Sequence, residues 1–218
     1  MGKARRSKEI GVLFIGNSFT QRNNLPGHLA ELAAARGMRI SHELISAGGA
    51  SLRTHWNAGR ATGAIAAGGY DYVVLQEQST LPVKNADRMA ENVRLFDEVI
   101  RRAGARTALY MTWARQHSPA TQQAITDAYT TIGREIGAII VPVGLVWQRF
   151  LADHDRPVLY DRDQSHPSPA GSYLAACVFL AALLKTSPVG IEAGPGGLDA
   201  SDRASLQGAA WRQCRPRK

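Results

Sequence analysis

The chain predicts a three-layer α/β/α sandwich on a five-stranded parallel sheet, and three observations carry that expectation. Short apolar, partly β-branched runs recur along the sequence with segments of helical length between them, the pattern of strands joined by crossover helices. Five such runs with helical crossovers put a layer on each face of the sheet. With 218 residues and 44% hydrophobic side chains there is enough apolar material for one continuous core, and no internal repeat, second domain or heptad pattern divides it.

The first strand is expected over residues 11–15. Basic residues at positions 1–8 precede it, but Gly11 interrupts the apolar run, which then meets Gly16 and Asn17 rather than a longer apolar region with a small-residue cleavage site. The reading is a strand in a cytoplasmic protein. The next helix takes Asn24 as its cap, Pro26 in its opening turn, Leu29, Leu32 and Ala33 as its apolar stripe and Gly37 as its stop. Strands at 39–45, 72–75, 107–111 and 138–143 then alternate with helices at 51–67, 86–103, 119–133 and 169–184. The last helix holds the longest apolar run, 11 residues from 174 to 184, whereas a bilayer-spanning helix takes roughly 20. Three segments follow: a basic tail over 1–9, the sandwich over 10–186, and a Gly/Pro-rich basic extension over 187–218 that packs over the surface or leaves it.

Net charge is +8, of which residues 1–9 hold +3 and residues 212–218 hold +4, so the body carries only +1. A nucleic-acid binder places a basic stripe on its folded face. Charge confined to the ends reads as solvated tails, and neither nucleic acid nor a membrane is expected as a partner. Cys177 and Cys214 lie far apart and form neither a disulfide framework nor a zinc motif. Six histidines form no His-x-His or His-Glu-x-x-His pattern, so no metal or other cofactor is expected.

In an open parallel sheet, sites form beyond the carboxyl ends of the strands. The first strand delivers Gly16, Asn17, Ser18, Phe19 and Thr20 to that edge. Alone, Ser18 reads equally as a turn residue or a phosphate-binding hydroxyl. Near the far end stand Asp163, Gln164, Ser165, His166 and Pro167. A serine hydroxyl becomes a nucleophile when an imidazole takes its proton, and a carboxylate holds that imidazole in the useful tautomer. Asp163 and His166 supply both groups in a loop stiffened by Pro167 and Pro169, with Ser168 capping the next helix.

These two segments resemble the SGNH or GDSL hydrolases. Gly16-Asn17-Ser18 is similar to that superfamily's Gly-Asp-Ser turn, with Asn in place of Asp, and Asp163 with His166 is similar to its Asp-x-x-His block before the final helix. The resemblance covers roughly residues 11–186 and implies a flavodoxin-like sandwich and a Ser18, Asp163, His166 triad. It also implies an oxyanion hole from the backbone amides of Ser18 and Gly48 and an amide side chain after the third strand. There the usual Gly-x-Asn-Asp is absent and Leu75-Gln76-Glu77-Gln78-Ser79 stands instead. Counting from the strand selects Gln78, whose amide donates through one more methylene; Gln76 is the rival, because a one-residue change in the strand end exchanges them. Gly48 reads equally as part of a tight turn. Together with Val74-Leu75-Gln76-Glu77-Gln78-Ser79, these strings look like a Gln-containing branch of the superfamily.

Asn17, Gln76 and Trp113 are weak candidates for substrate contact. Arg115 and His117 follow the fourth strand toward the same crevice, while His55 and Trp56 read as core residues of a helix. The Gly-x-Ser-x-Gly elbow of α/β-hydrolases is missing, since position 20 is threonine. The expected function is a cofactor-independent serine esterase acting on a small-molecule, short-chain acyl ester, carbohydrate O-acetyl groups among them. The competing readings are a flavodoxin-like phosphate-binding module, which leaves Asp163 and His166 without a role, and a non-catalytic sugar-binding relative. Oligomeric state is not legible in the sequence.

Overall fold

The first strand, β1 (Ile10–Gly16), is apolar on both faces because helices cover both. In the computed structural model, which describes residues 9–216, Val12 and Phe14 face one layer and Leu13 and Ile15 the other, all four fully buried. After β1 come a one-turn helix α1 (Ser18–Gln21), α2 (Leu25–Ala34) and β2 (Ile40–Ser46). The chain continues through α3 (Leu52–Ala58), α4 (Arg60–Ala67), β3 (Tyr72–Leu75), the short α5 (Leu81–Lys84), α6 (Ala86–Arg102) and β4 (Arg106–Tyr110). It ends with α7 (Gln122–Ile136), β5 (Ile139–Val141), α8 (Val143–Asp153), α9 (Pro169–Leu183) and α10 (Ala200–Cys214).

All five strands are parallel, in the order β2-β1-β3-β4-β5. Helices α2, α8, α9 and α10 pack on one face; α3, α4, α6 and α7 pack on the other. The three-layer sandwich is therefore as expected, and the reversal of strand order around β1 opens a crevice at the carboxyl edge of β1 and β3.

Several local expectations are corrected. The helix expected over 51–67 is two helices, because Gly59 adopts a left-handed φ of +73° between them. The fifth strand stops at Val141: Pro142 lacks the N–H a ladder needs, and Val143 already begins α8. Asn24 occupies the cap position of α2 in a left-handed conformation, but its side chain makes no capping bond.

The C-terminal extension is a packed part of the fold. Asp199 caps α10 by accepting from the Asp202 N–H at 2.8 Å, and Leu206 and Ala210 are fully buried. The reason lies in α9, where every residue after Pro169 is buried. A helix apolar all round needs cover on its outer side as well as a sheet beneath it, and α10 supplies part of that cover. Arg212 thus sits on a packed helix, while the basic residues at 1–8 and 217–218 lie outside the described residues. Among the described residues no helix is long and apolar enough to cross a membrane.

Candidate active site

Ser18 is held at the first position of α1 by a network that begins in β1. A side chain at Gly16 would press within 2.6 Å of Gln76 Oε1 and 2.7 Å of Thr20 Oγ1, so only glycine lets the strand end so tightly. Asn17, 2% exposed, caps α1: its Oδ1 accepts from the Phe19 N–H at 3.1 Å while its Nδ2 donates to the Ala50 carbonyl at 3.0 Å. Gln76 is wholly buried beneath this turn. Its Oε1 accepts from the Asn17 N–H at 2.9 Å and the Thr20 hydroxyl at 3.0 Å, and its Nε2 donates to the Glu77 carbonyl at 2.5 Å. The buried His55 donates from Nε2 to the Gly16 carbonyl at 2.7 Å.

The loop before α9 brings the other groups. Tyr160 and Pro167 form an antiparallel bridge, the Asp161 N–H donates to the His166 carbonyl at 2.8 Å, and Gln164 takes the tight corner at a φ of +58°. Ser168 caps α9 by accepting from the Gly171 N–H at 3.1 Å. Asp163 Oδ1 accepts from the backbone N–H groups of Ser165 at 3.0 Å and His166 at 2.9 Å, and its Oδ2 lies 2.5 Å from His166 Nδ1. Across the crevice, Ser18 Oγ lies 2.7 Å from His166 Nε2, although the two residues are 148 positions apart.

Partial desolvation, the largest single influence on the Asp163 carboxyl, pushes its pKa up. The backbone N–H and ring of His166, the Ser165 N–H and the charge of His166 together outweigh that push and bring it down to about 2. An ionised carboxylate only accepts, so in the neutral imidazole Nδ1 carries the hydrogen and Nε2 is the acceptor facing the Ser18 hydroxyl. Arg22 braces the loop through Asp161 at 2.8 Å, with Asp163 at 3.9 Å.

Two further loops carry Gly48 and Gln78. The turn closed by the Ala50 N–H on the Ala47 carbonyl at 3.1 Å places Gly48 and Gly49 at its tip, Gly49 with a φ of +67°. Gln78 Oε1 accepts from the Thr80 N–H at 2.8 Å, the Thr80 hydroxyl at 2.9 Å and the Leu81 N–H at 3.0 Å. Two backbone donors on one atom identify it as the oxygen, so the amide nitrogen is the free end of the side chain. No hydrogen bond within the described residues uses Gln78 Nε2 or the backbone N–H of Ser18 or Gly48.

All three weak substrate candidates are buried. Asn17 and Gln76 have every polar side-chain atom engaged inside the protein. Trp113 is 2% exposed, stacks on Trp147 at 3.9 Å and donates from Nε1 to the Ser165 carbonyl at 3.0 Å, so it supports the histidine loop. Trp113 also lines a cavity of about 240 Å³ next to the Gln78 loop, with Ser79, Thr80, Lys84, Arg115 and His117 among its other walls. Sequence reasoning missed the buried pair Glu77 and Asn92, joined by a hydrogen bond of 2.9 Å; the one available signal was an acidic residue soon after an apolar strand. Among the described residues no three His, Cys, Asp or Glu side chains converge as a metal site.

No family model and no curated protein matches the sequence. Solved structures do. A DUF4886 family protein from Bacteroides uniformis superposes with a TM-score of 0.76 at 23% identity over 94% of each chain. A candidate SGNH hydrolase from Slackia heliotrinireducens superposes at 0.70 with 29% identity, over 81% of this chain and all of its own. An acetyl-xylooligosaccharide esterase from Geobacillus superposes at 0.68 with 16% identity, over 88% of this chain and all of its own. The three-layer sandwich is the scaffold that this chain shares with these hydrolases. This chain belongs to the SGNH/GDSL hydrolase superfamily.

Proposed function

We propose that the protein is a serine esterase that hydrolyses a short-chain acyl ester through an acyl-enzyme. The observation that carries this reading is the 2.7 Å approach of Ser18 Oγ to His166 Nε2, with Asp163 behind the ring at 2.5 Å. In the first step Ser18 Oγ attacks the ester carbonyl as His166 Nε2 takes its proton; Asp163 holds the Nδ1–H and stabilises the imidazolium. The tetrahedral intermediate collapses, the C–O bond to the alcohol breaks, and His166 gives its proton to the leaving oxygen. A water then attacks the acyl-Ser18 carbonyl, losing its proton to His166, and the acid leaves as Ser18 recovers its hydrogen.

The negative oxygen of each tetrahedral intermediate is assigned to three donors: the backbone N–H of Ser18, the backbone N–H of Gly48 and the Nε2 of Gln78. Among the described residues nothing accepts their hydrogens, as a site for a developing charge requires. The cavity of about 240 Å³ beside the Gln78 loop takes the part of the substrate that does not react. Carbohydrate O-acetyl groups are the first substrates to test, because acetyl-xylooligosaccharide and acetyl xylan esterases share this fold.

The test is hydrolysis of a chromogenic acetate ester by the wild type and by Ser18→Ala. Loss of the nucleophile lowers kcat by roughly 10⁴ to 10⁶. Equal rates in the two proteins contradict the assignment.

A further inference from the structure

Glu77 stands between the two glutamines, fully buried, and among the described residues no Lys, Arg or His pairs with it directly. Its oxygens are filled by neutral donors instead. Oε1 accepts from the Leu52 N–H at 3.0 Å and the Gln78 N–H at 2.7 Å, and Oε2 accepts from Asn92 Nδ2 at 2.9 Å. Asn92, also fully buried, accepts in turn from Arg53 Nε at 3.0 Å, so positive charge reaches the carboxylate only through an intervening amide.

Burying a carboxylate is unfavourable unless its acceptors are satisfied, and packing alone does not need the charge. The carboxylate does something more specific: it gathers donors from two loops onto one rigid group. Leu52 opens α3 immediately after the turn that carries Gly48, and Gln78 follows β3. We propose that Glu77 is the positioning residue of the oxyanion site, setting the separation between the Gly48 amide and the Gln78 side chain. This rests on the oxyanion assignment above, because the positioned groups are two of its three donors.

The geometry dictates the test. Glu77→Gln places a new amide nitrogen against the Asn92 nitrogen, and turning Asn92 over only moves the clash to Arg53. Adding Asn92→Asp restores the pattern with the charge exchanged: the new amide donates to the new carboxylate, which still accepts from Arg53.

With a chromogenic acetate ester, and folding verified by circular dichroism, Glu77→Gln is expected to lower kcat roughly 10- to 100-fold with KM changed less than about threefold. Glu77→Gln with Asn92→Asp is expected to recover to within about fivefold of wild type. Gln78→Ala is expected to cost a smaller factor in the Glu77→Gln background than in wild type, because a displaced donor has less to lose. Undiminished kcat in Glu77→Gln, or losses that multiply in full, overturn the proposal. Gln78→Ala without effect in the wild type removes the oxyanion assignment itself, and this proposal with it. Should Glu77→Gln not fold, Arg53→Ala, at a partly exposed position, replaces it in the same cycle. An expected loss of about 3- to 10-fold that fails to multiply with Gln78→Ala supports the proposal, and full multiplication or no loss overturns it.

Discussion

Asn17 and Ala50 join the turn that holds the candidate nucleophile to the turn that carries Gly48: the Asn17 side-chain amide donates to the Ala50 carbonyl at 3.0 Å. The superfamily turn that this segment resembles has aspartate here. An aspartate would retain the cap on Phe19 but would set a second acceptor against the Ala50 carbonyl in a buried position.

Asn17→Asp is therefore expected to destabilise the fold by about 1–3 kcal/mol. For a domain of this size that corresponds to a fall in Tm of roughly 2–12 °C, read in a thermal melt. An unchanged Tm would show that the amide is not needed as a donor.

The two glutamines are expected to separate by phenotype. Gln76→Ala removes the acceptor for the Asn17 N–H and the Thr20 hydroxyl in a fully buried place, so its main effect is on stability, at about 1–3 kcal/mol for each stranded donor. Gln78→Ala removes a half-buried side chain with a free amide nitrogen, so its main effect is on kcat, roughly 10²- to 10³-fold. Paired melting curves and kinetics distinguish the two. A larger kcat loss per folded molecule in Gln76→Ala reverses the assignment.

Asp163 gives a pH signature. Its folded pKa, about 2, lies below its ordinary value of 3.8, so its ionised form stabilises the fold above about pH 4, and that contribution fades as pH falls from about 4 to 2. The urea midpoint of the wild type relative to Asp163→Asn is expected to hold steady above about pH 5 and to shrink over that acidic window. The carboxylate is partly solvated, with 42% of its side chain exposed, so the effect is modest. On the proposed mechanism its effect on catalysis is expected to be larger: Asp163→Asn should lower kcat by about 10⁴ through the wrong tautomer of His166, the figure being that of the serine-protease triad. A difference in midpoint that grows toward acid pH contradicts this account.

Leu206 tests the C-terminal helix. It is fully buried, and Leu206→Ala is expected to cost about 2–5 kcal/mol through the cavity it leaves. A change within about 0.5 kcal/mol would show that α10 is dispensable to the core.

Much of this arrangement was legible in the sequence, for identifiable reasons. Strand β1 announces itself because both of its faces are buried, which makes it a continuous apolar run. Ser18, Asp163 and His166 stood out because strand-edge loops and an Asp-x-x-His spacing are local patterns. What escaped was non-local. That Gln76 is bonded on every polar atom depends on the neighbouring turn at residues 16–20, and that Glu77 bridges to Leu52 and Asn92 depends on how α3 and α6 meet. Helix α10 has a mixed, Gly-flanked sequence; the stronger signal for it was in α9, whose uniform apolarity requires a cover.

The most direct measurement of the central claim is covalent labelling with a fluorophosphonate, followed by peptide mapping. A single adduct on Ser18, absent in Ser18→Ala and formed at least about 10³-fold more slowly in His166→Ala, is the expected result. An adduct on another residue, or equal labelling of Ser18 with and without the His166 imidazole, would contradict the account.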